Sequence, residues 1–555
     1  MRTKKKRENV GINVIKVIVF LIFVIISLNM APNYIKENLN NKINLIINNK
    51  NVTKSLKKDI FISEEGTIYL SKEDVQNFFD ESIYYDEKYN QIITTYENKI
   101  ASMGIDKKDI YVNDSKVNIY SSVISKDETY YIPFSEVEDV YNVELKYIED
   151  EKIITLDSLN RQQKIANSAK KTAVRYMPTV LSKKVDKIEK GERVIVINED
   201  EDGWVKIRTE KGKIGFIKSI ANVRNLRDTM EYESQVNGKI SMVWDYFSEY
   251  SQAPDRQNDT IKGVNVISPS FAVLKKDGDG TLLTNIGEAG KRYISWAKSK
   301  NYKVWAMISN NSMIDTTSKI VNDYELRTKL INNIVELAIQ NNFDGINIDF
   351  ENMYEKDKEM FSRFIIELAP RLREYGMILS VDVTAPDGAG TWSMCFDRNE
   401  IAKAADYIVF MGYDQYGVSS PKQGTTAGAD WVEVNIKKFL GQEDVDGAKL
   451  ILGVPFYTRL WKEENGKTTS SVISMGNIDE QIPDGVEKKW DEDLKQYYVE
   501  FKKGNASYKI WIEDEKSISA KLNLVEQYDL AGAAYWAKDR ENGQMWNLIE
   551  KNFKK

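Results

Sequence analysis

The chain has 555 residues, too many for one hydrophobic core, and its 42% hydrophobic and 11% aromatic content indicates folded domains, about three to four of them. A formal net charge of −6, with acidic and basic residues intermixed and no isolated basic stretch beyond the N-terminus, gives no footprint for a nucleic-acid partner. The absence of histidine and the single cysteine, Cys395, exclude Ser-His-Asp and Cys-His catalysis, His-ligated zinc or copper, intrachain disulfides and thiolate metal clusters. Chemistry must run on carboxylates, Tyr, Trp, Asn and backbone, with no metal and no cofactor expected.

At the N-terminus, Arg2, Lys4, Lys5, Lys6 and Arg7 precede an apolar stretch from Val10 to Met30, broken by Asn13 and Lys16. Its uninterrupted part, Val17 to Leu28, is short for a membrane span, but Lys16 can snorkel. The expectation is a transmembrane signal anchor over residues 10–31, a cytoplasmic tail over 1–9 and a tether over 32–41. The positive-inside rule then puts all later residues outside the membrane. Secretion after signal-peptide cleavage is the alternative, although Leu28-Asn29-Met30-Ala31-Pro32 is a poor cleavage site.

Residues 42–158 carry an internal repeat with a period of about 60 residues. The first copy runs from Ile68-Tyr69-Leu70-Ser71 through Ile83-Tyr84-Tyr85-Asp86 to Ile92-Ile93-Thr94. The second runs from Tyr131-Ile132-Pro133-Phe134 through Lys146-Tyr147-Ile148 to Ile153-Ile154-Thr155. Each copy predicts a strand, a short helix and two further strands. This α+β repeat resembles the N-terminal domain of copper amine oxidases, which implies a stalk without copper chemistry. Over residues 166–224, short alternating strands with turn glycines, among them Gly203-Trp204-Val205 and Gly212-Lys213-Ile214-Gly215-Phe216, predict a small β-barrel. These segments resemble a bacterial SH3-like domain. The resemblance leaves open whether this module binds peptidoglycan or only spaces its neighbours, and whether Trp204 is a contact or core.

Residues 238–555 alternate short apolar, β-branched segments with amphipathic helices such as Glu325–Asn341 and Glu359–Glu374. Eight strands are predicted: Ile240–Trp244, Gly263–Ser268, Val304–Ile308, Gly345–Glu351, Ile378–Thr384, Tyr407–Tyr413, Leu450–Phe456 and Gly532–Trp536. That pattern gives a C-terminal (β/α)8 TIM barrel with its site at the C-terminal strand ends. The expected fold is therefore multidomain: an N-terminal transmembrane helix, an α+β repeat domain, an SH3-like β-barrel and the TIM barrel.

The segment Phe343-Asp344-Gly345-Ile346-Asn347-Ile348-Asp349-Phe350-Glu351 puts Asn347, Asp349 and Glu351 on one face of a strand. A structural strand has no reason to stack three polar groups inside a barrel, because each unsatisfied one costs on the order of 1–3 kcal/mol. The segment resembles the Asp-x-x-Asp-x-Asp-x-Glu signature of glycoside hydrolase family 18, the chitinase-like TIM barrels. It matches at Asp344, Asp349 and Glu351 and departs at Asn347. Met411-Gly412-Tyr413-Asp414 matches a second motif of that family, and Trp536 a third. A segment from about Leu460 to Val525, containing Trp490, Tyr497, Tyr498, Trp511 and Glu513, is similar to its small α+β insertion.

That resemblance implies substrate-assisted, retaining hydrolysis of β-1,4 bonds beside N-acetylglucosamine, the substrate's acetamido oxygen attacking the anomeric carbon. Glu351 is then the proton donor, Asp349 the acceptor for the acetamido N–H and Tyr413 a donor to the acetamido oxygen. Asp349 also raises the Glu351 pKa by like-charge repulsion. Trp536, Asp414, Asn347 and Met411 complete the expected substrate contacts. Asn347, unable to share a proton as Asp could, is expected to keep Asp349 ionised over a wider pH range. The expected partner is a polysaccharide of the cell wall, peptidoglycan first and chitin second. The rival expectation is a catalytically inactive glycan-binding or wall-scaffold protein.

Overall fold

The computed structural model describes residues 42–199, 203–218, 220–228, 236–418 and 420–553. The expected tail, membrane anchor and tether lie outside them; among the described residues no helix is long and apolar enough to cross a membrane. The chain divides into two compact units near residue 233.

The first unit opens with the repeat. In its first copy the strand Ile68–Ser71 leads into the helix Lys72–Phe78, then into strands Tyr84–Asp86 and Gln91–Tyr96. Ser71 caps that helix, its side chain accepting from the Asp74 backbone N–H. The second copy keeps the strands Thr129–Pro133, Val143–Ile148 and Ile153–Ser158, but its helix is two 3-10 turns, Phe134–Glu136 and Glu138–Tyr141. Asn142, at φ 47°, stops the second turn. Between the copies, Lys99–Gly104, Asp109–Val112 and Ser115–Asn118 extend the first hairpin into a five-stranded meander that the repeat did not foretell. The strand Asn44–Ile47 pairs in parallel with Ile153–Leu156, joining the start of the domain to its end. Leu45, Val75, Ile92, Ile132, Phe134 and Leu156 form the core.

Next comes an antiparallel seven-stranded sheet from Gln163–Ser168 to Ile220–Arg227, as expected of the SH3-like segment. Trp204 is 6% exposed there, so its ring is chiefly core. The buried Arg208 grips Asp157 of the preceding domain with both guanidinium nitrogens.

In the second unit all eight expected strands are present: β1 (Ile240–Asp245), β2 (Val266–Pro269), β3 (Lys303–Ser309), β4 (Gly345–Asp349), β5 (Ile378–Val383), β6 (Tyr407–Met411), β7 (Leu450–Pro455) and β8 (Gly532–Trp536). Each pairs in parallel with its neighbours, and β8 pairs with β1, so the sheet closes as a TIM barrel. The surrounding helices are α1 (Gly287–Ser299), α2 (Ile314–Val321), α3 (Tyr324–Gln340), α4 (Lys358–Arg373), α5 (Arg398–Ala404), α6 (Ala429–Gly441), α7 (Glu515–Gln527) and α8 (Met545–Phe553). Between α3 and α4, the fully buried Arg327 and Glu367 form a two-pronged ion pair at 2.7 and 2.9 Å.

Two expectations are corrected. No helix joins β1 to β2: residues 246–265 form an irregular loop, consistent with Pro254 and the turn-forming residues around it. A charge clamp holds that loop. Arg256, 7% exposed, binds Asp245 at the end of β1 through 2.8 and 2.9 Å contacts and Asp539, beyond β8, at 2.6 and 3.0 Å. The insertion between β7 and β8 is a five-stranded antiparallel sheet spanning Tyr457–Ile512, whereas its expected helical part, α7, packs on α6, β7 and β8 as a barrel helix. Asp514 and Ser517 start α7 with a reciprocal cap, and a fully buried Glu513–Lys521 pair ties it to the sheet through Gln496. Glu513 is thus structural.

Candidate active site

The floor of the site is set by β4. Asn347 is fully buried, and all four of its hydrogen-bonding positions are filled. Its Oδ1 accepts from Trp244 Nε1 at 2.9 Å and Ser268 Oγ at 3.1 Å; its Nδ2 donates to Asp382 Oδ1 at 2.8 Å and Ser380 Oγ at 3.1 Å. Asn347 is therefore enclosed, with no donor or acceptor left for the substrate contact expected of it. Its partners are barrel residues, and the carboxylate it meets is Asp382 on β5, not Asp349.

Two residues further on, Asp349 is 8% exposed, and Glu351 stands half-buried just past the end of β4. Neither carboxyl is hydrogen-bonded to a side chain among the described residues, so their oxygens are free for a ligand. Burial pushes Asp349 up to about 7. Burial, followed by the charges of Asp349 and Asp414, pushes Glu351 up to about 8. Two carboxyls so placed do not both ionise near neutral pH; one retains a proton. The sequence-based expectation named like-charge repulsion as the cause, but burial is the larger one.

Glu351 is fixed through its backbone. Asn310, fully buried just beyond β3, accepts from the Glu351 N–H at 3.0 Å and donates to its C=O at 2.8 Å. Asn310→Ala is expected to lower kcat about ten- to a hundredfold with little change in KM, since the acid would lose its register without losing its chemistry. Steady-state kinetics on a soluble glycan oligomer measures this, and an unchanged kcat would show the clamp to be dispensable.

Tyr413 lies beside β6, 9% exposed, its ring edge-on to Trp244 and Tyr457. Gly453 on β7 makes room for it: a Cβ there would sit 2.8 Å from the Phe410 carbonyl and 3.3 Å from the Tyr413 ring. Asp414, in the left-handed region at φ 56°, accepts from Tyr457 Oη at 2.7 Å and pairs with Arg459 at 3.5 Å. Trp536 ends β8, its ring 5.6 Å from Trp244 and 5.8 Å from Tyr246, which is 54% exposed. Met411 is 5% exposed and packs in the core with Tyr413.

Three residues near these groups were missed in the sequence: Asn310, Asp382 and Tyr246. Asp382 had a visible signal, because Ser380, Asp382 and Thr384 alternate along β5 as Asn347, Asp349 and Glu351 do along and beyond β4. Asn310 and Tyr246 lie just past strand ends, where alternation gives no guide.

A closed parallel barrel with two neighbouring buried carboxyls, one of them protonated near neutral pH, and aromatic rings at the C-terminal rim is the architecture of a TIM-barrel glycosidase. The chain belongs to glycosyl hydrolases family 18, whose family model matches residues 242–541. The copper amine oxidase N-terminal domain model matches residues 36–156, and the bacterial SH3 domain model residues 172–219. An uncharacterized glycosylase of Bacillus subtilis (strain 168), YvbX, is 28% identical over 304 residues, covering 52% of this chain and 85% of the relative. The cortical fragment-lytic enzyme of Bacillus anthracis is 24% identical over 252 residues, 44% of this chain and 58% of that enzyme. A chitinase structure from Chromobacterium violaceum superposes with a TM-score of 0.51 at 21% identity, covering 57% of this chain and all of that one; this likeness concerns the fold.

Proposed function

We propose that this glycosidase hydrolyses β-1,4 bonds of N-acetylglucosamine-containing glycans, with peptidoglycan the first substrate and chitin the second. The observation that carries the reading is the Asp349–Glu351 pair: two acids at the barrel rim, one of them protonated near neutral pH, with no side chain among the described residues hydrogen-bonded to their oxygens. The relative from B. anthracis, whose name refers to cortical fragments, and the SH3 domain favour a wall polymer over chitin. The proposed location is outside the cytoplasmic membrane, held there by residues 10–31 or released by cleavage.

In this reading Glu351 protonates the departing glycosidic oxygen while the sugar's acetamido oxygen forms the new bond to the anomeric carbon. Asp349 accepts the acetamido N–H and balances the positive charge of the cyclic intermediate. Tyr413 donates to the acetamido oxygen, and Trp536 lies under the ring. Glu351, now ionised, takes a proton from water as that water opens the intermediate, restoring the acid and retaining configuration. Asp414 supports Tyr457 and Arg459 beside the site.

The test incubates the purified chain and its Glu351→Gln variant with peptidoglycan and with chitin oligomers. Reducing ends released from peptidoglycan by the wild type alone support the reading. Release from chitin alone moves the substrate, and release from neither returns the non-catalytic scaffold. Tyr246 extends the aromatic surface of Trp536, so Tyr246→Ala is expected to raise KM for long oligomers about tenfold and leave a disaccharide analogue nearly unaffected. An equal change on both would remove Tyr246 from the groove.

A further inference from the structure

The barrel interior holds a third carboxyl for which the proposed reaction has no use. Asp382 is 2% exposed on β5, and its Oδ1 accepts from Asn347 Nδ2 at 2.8 Å. Asn347 is in turn locked by Trp244, Ser268 and Ser380, so its amide has no donor left for Asp349. Val381 pairs with Ile348 across the two strands, so Asp382 follows on β5 as Asp349 does on β4, and it is joined to β4 through the Asn347 amide. The titratable groups acting on it are Asp349 and Glu351 from the β4 segment, and it acts in turn on Tyr413 beyond β6. Trp244 faces it from β1 as a neutral donor.

We propose that Asp382 is a positioning residue that sets the protonation of the Asp349–Glu351 pair, acting as the inner carboxyl of a three-acid cluster, with Asn347 as the fixed spacer on β4. The inference rests on the hydrolytic reading of the site and deepens it. Burial and the neighbouring charge of Asp349 raise Asp382 above the usual carboxylate range, so it titrates together with Asp349 and Glu351, and any charge it takes up opposes loss of the remaining proton. As pH rises, each proton lost from the cluster makes the next harder to remove, so the inner carboxyl keeps Glu351 protonated further into the alkaline range.

Asp382→Asn keeps an oxygen to accept from Asn347 while removing the ionisable group. The alkaline limb of kcat/KM is expected to move to lower pH by at least about half a pH unit. Asn347→Asp combined with Asp382→Asn puts the carboxyl back on the other strand and is expected to return the limb towards the wild-type position. An unmoved limb in a folded, active Asp382→Asn variant overturns the proposal. If Asp382→Asn is inactive, the swap decides: recovered activity supports the cluster, and a folded but inactive swap overturns it. A second readout is independent of turnover. The infrared carbonyl band of protonated carboxyls, followed from acid to alkaline pH, should lose intensity earlier in Asp382→Asn than in the wild type, and coincident titrations overturn the proposal. If the wild type cleaves no glycan, the proposed function fails, while the infrared titration still judges the cluster.

Discussion

Glu351→Gln is expected to lower kcat/KM by roughly 10²–10⁴-fold, the usual contribution of the general acid proposed here, and to leave the barrel folded. The fold survives because Asn310 holds Glu351 by its backbone, and that grip does not involve the carboxyl. In the wild type, activity is expected to fall as pH rises through about 8, to which burial lifts Glu351. Stability carries the same signature with a definite sign. An ordinary glutamate loses its proton near 4.5, whereas in the folded chain Glu351 keeps it to about 8. Between those values the folded state holds a proton that the unfolded chain has released, so stability declines as pH rises across the window. Glutamine has no proton to lose, so the variant should melt higher than the wild type at pH 7 to 8, approximate bounds set by that window. Oligosaccharide kinetics and thermal melts against pH check both halves. A variant that melts lower at every pH would show that the carboxyl stabilises the fold.

Arg327→Met is expected to destabilise the barrel by about 3–5 kcal/mol, because it strands Glu367 as an unpaired charge in a site closed to water. Arg327 also donates to the Val321 carbonyl at 2.8 Å, so the end of α2 loosens as well. Arg327→Met combined with Glu367→Leu should recover most of that loss, since it removes both desolvated charges and fills their volume with apolar atoms. Denaturant melts of the two variants measure the difference; equal losses would show that α3 and α4 depend on the pair itself rather than on avoiding a buried orphan charge.

The barrel was legible in the sequence because its strands announce themselves twice, by β-branched apolar runs and by their spacing with amphipathic helices. Inward parity on β4 likewise placed Asp349 and Glu351 together at the rim. Parity could not tell an enclosed side chain from an open one: Asn347 and Met411 share the inner face with groove residues, yet packing against Trp244, Ser268 and the core closes over them. The loop after β1 was illegible for a different reason. Its hold on the barrel comes from Arg256 bridging Asp245 and Asp539, a contact across 283 sequence positions that no local pattern encodes. The SH3-like strands showed in their turn glycines, whereas the meander at Lys99–Asn118 hid because it interrupts the repeat that made its flanks visible.

The parallel pairing of Asn44–Ile47 with Ile153–Leu156 decides how the first domain bears a mechanical load. A pull that separates residue 44 from residue 158 slides the two strands lengthwise past each other. The Asn44 and Asn48 amide bonds to Lys152 and Leu156, and the Asn48 side-chain bond to Ser158, then resist together instead of parting one by one. Hydrogen bonds that are individually modest add their strength in this shear geometry. A domain clamped in this way can transmit tension along the chain without unravelling from its first strand.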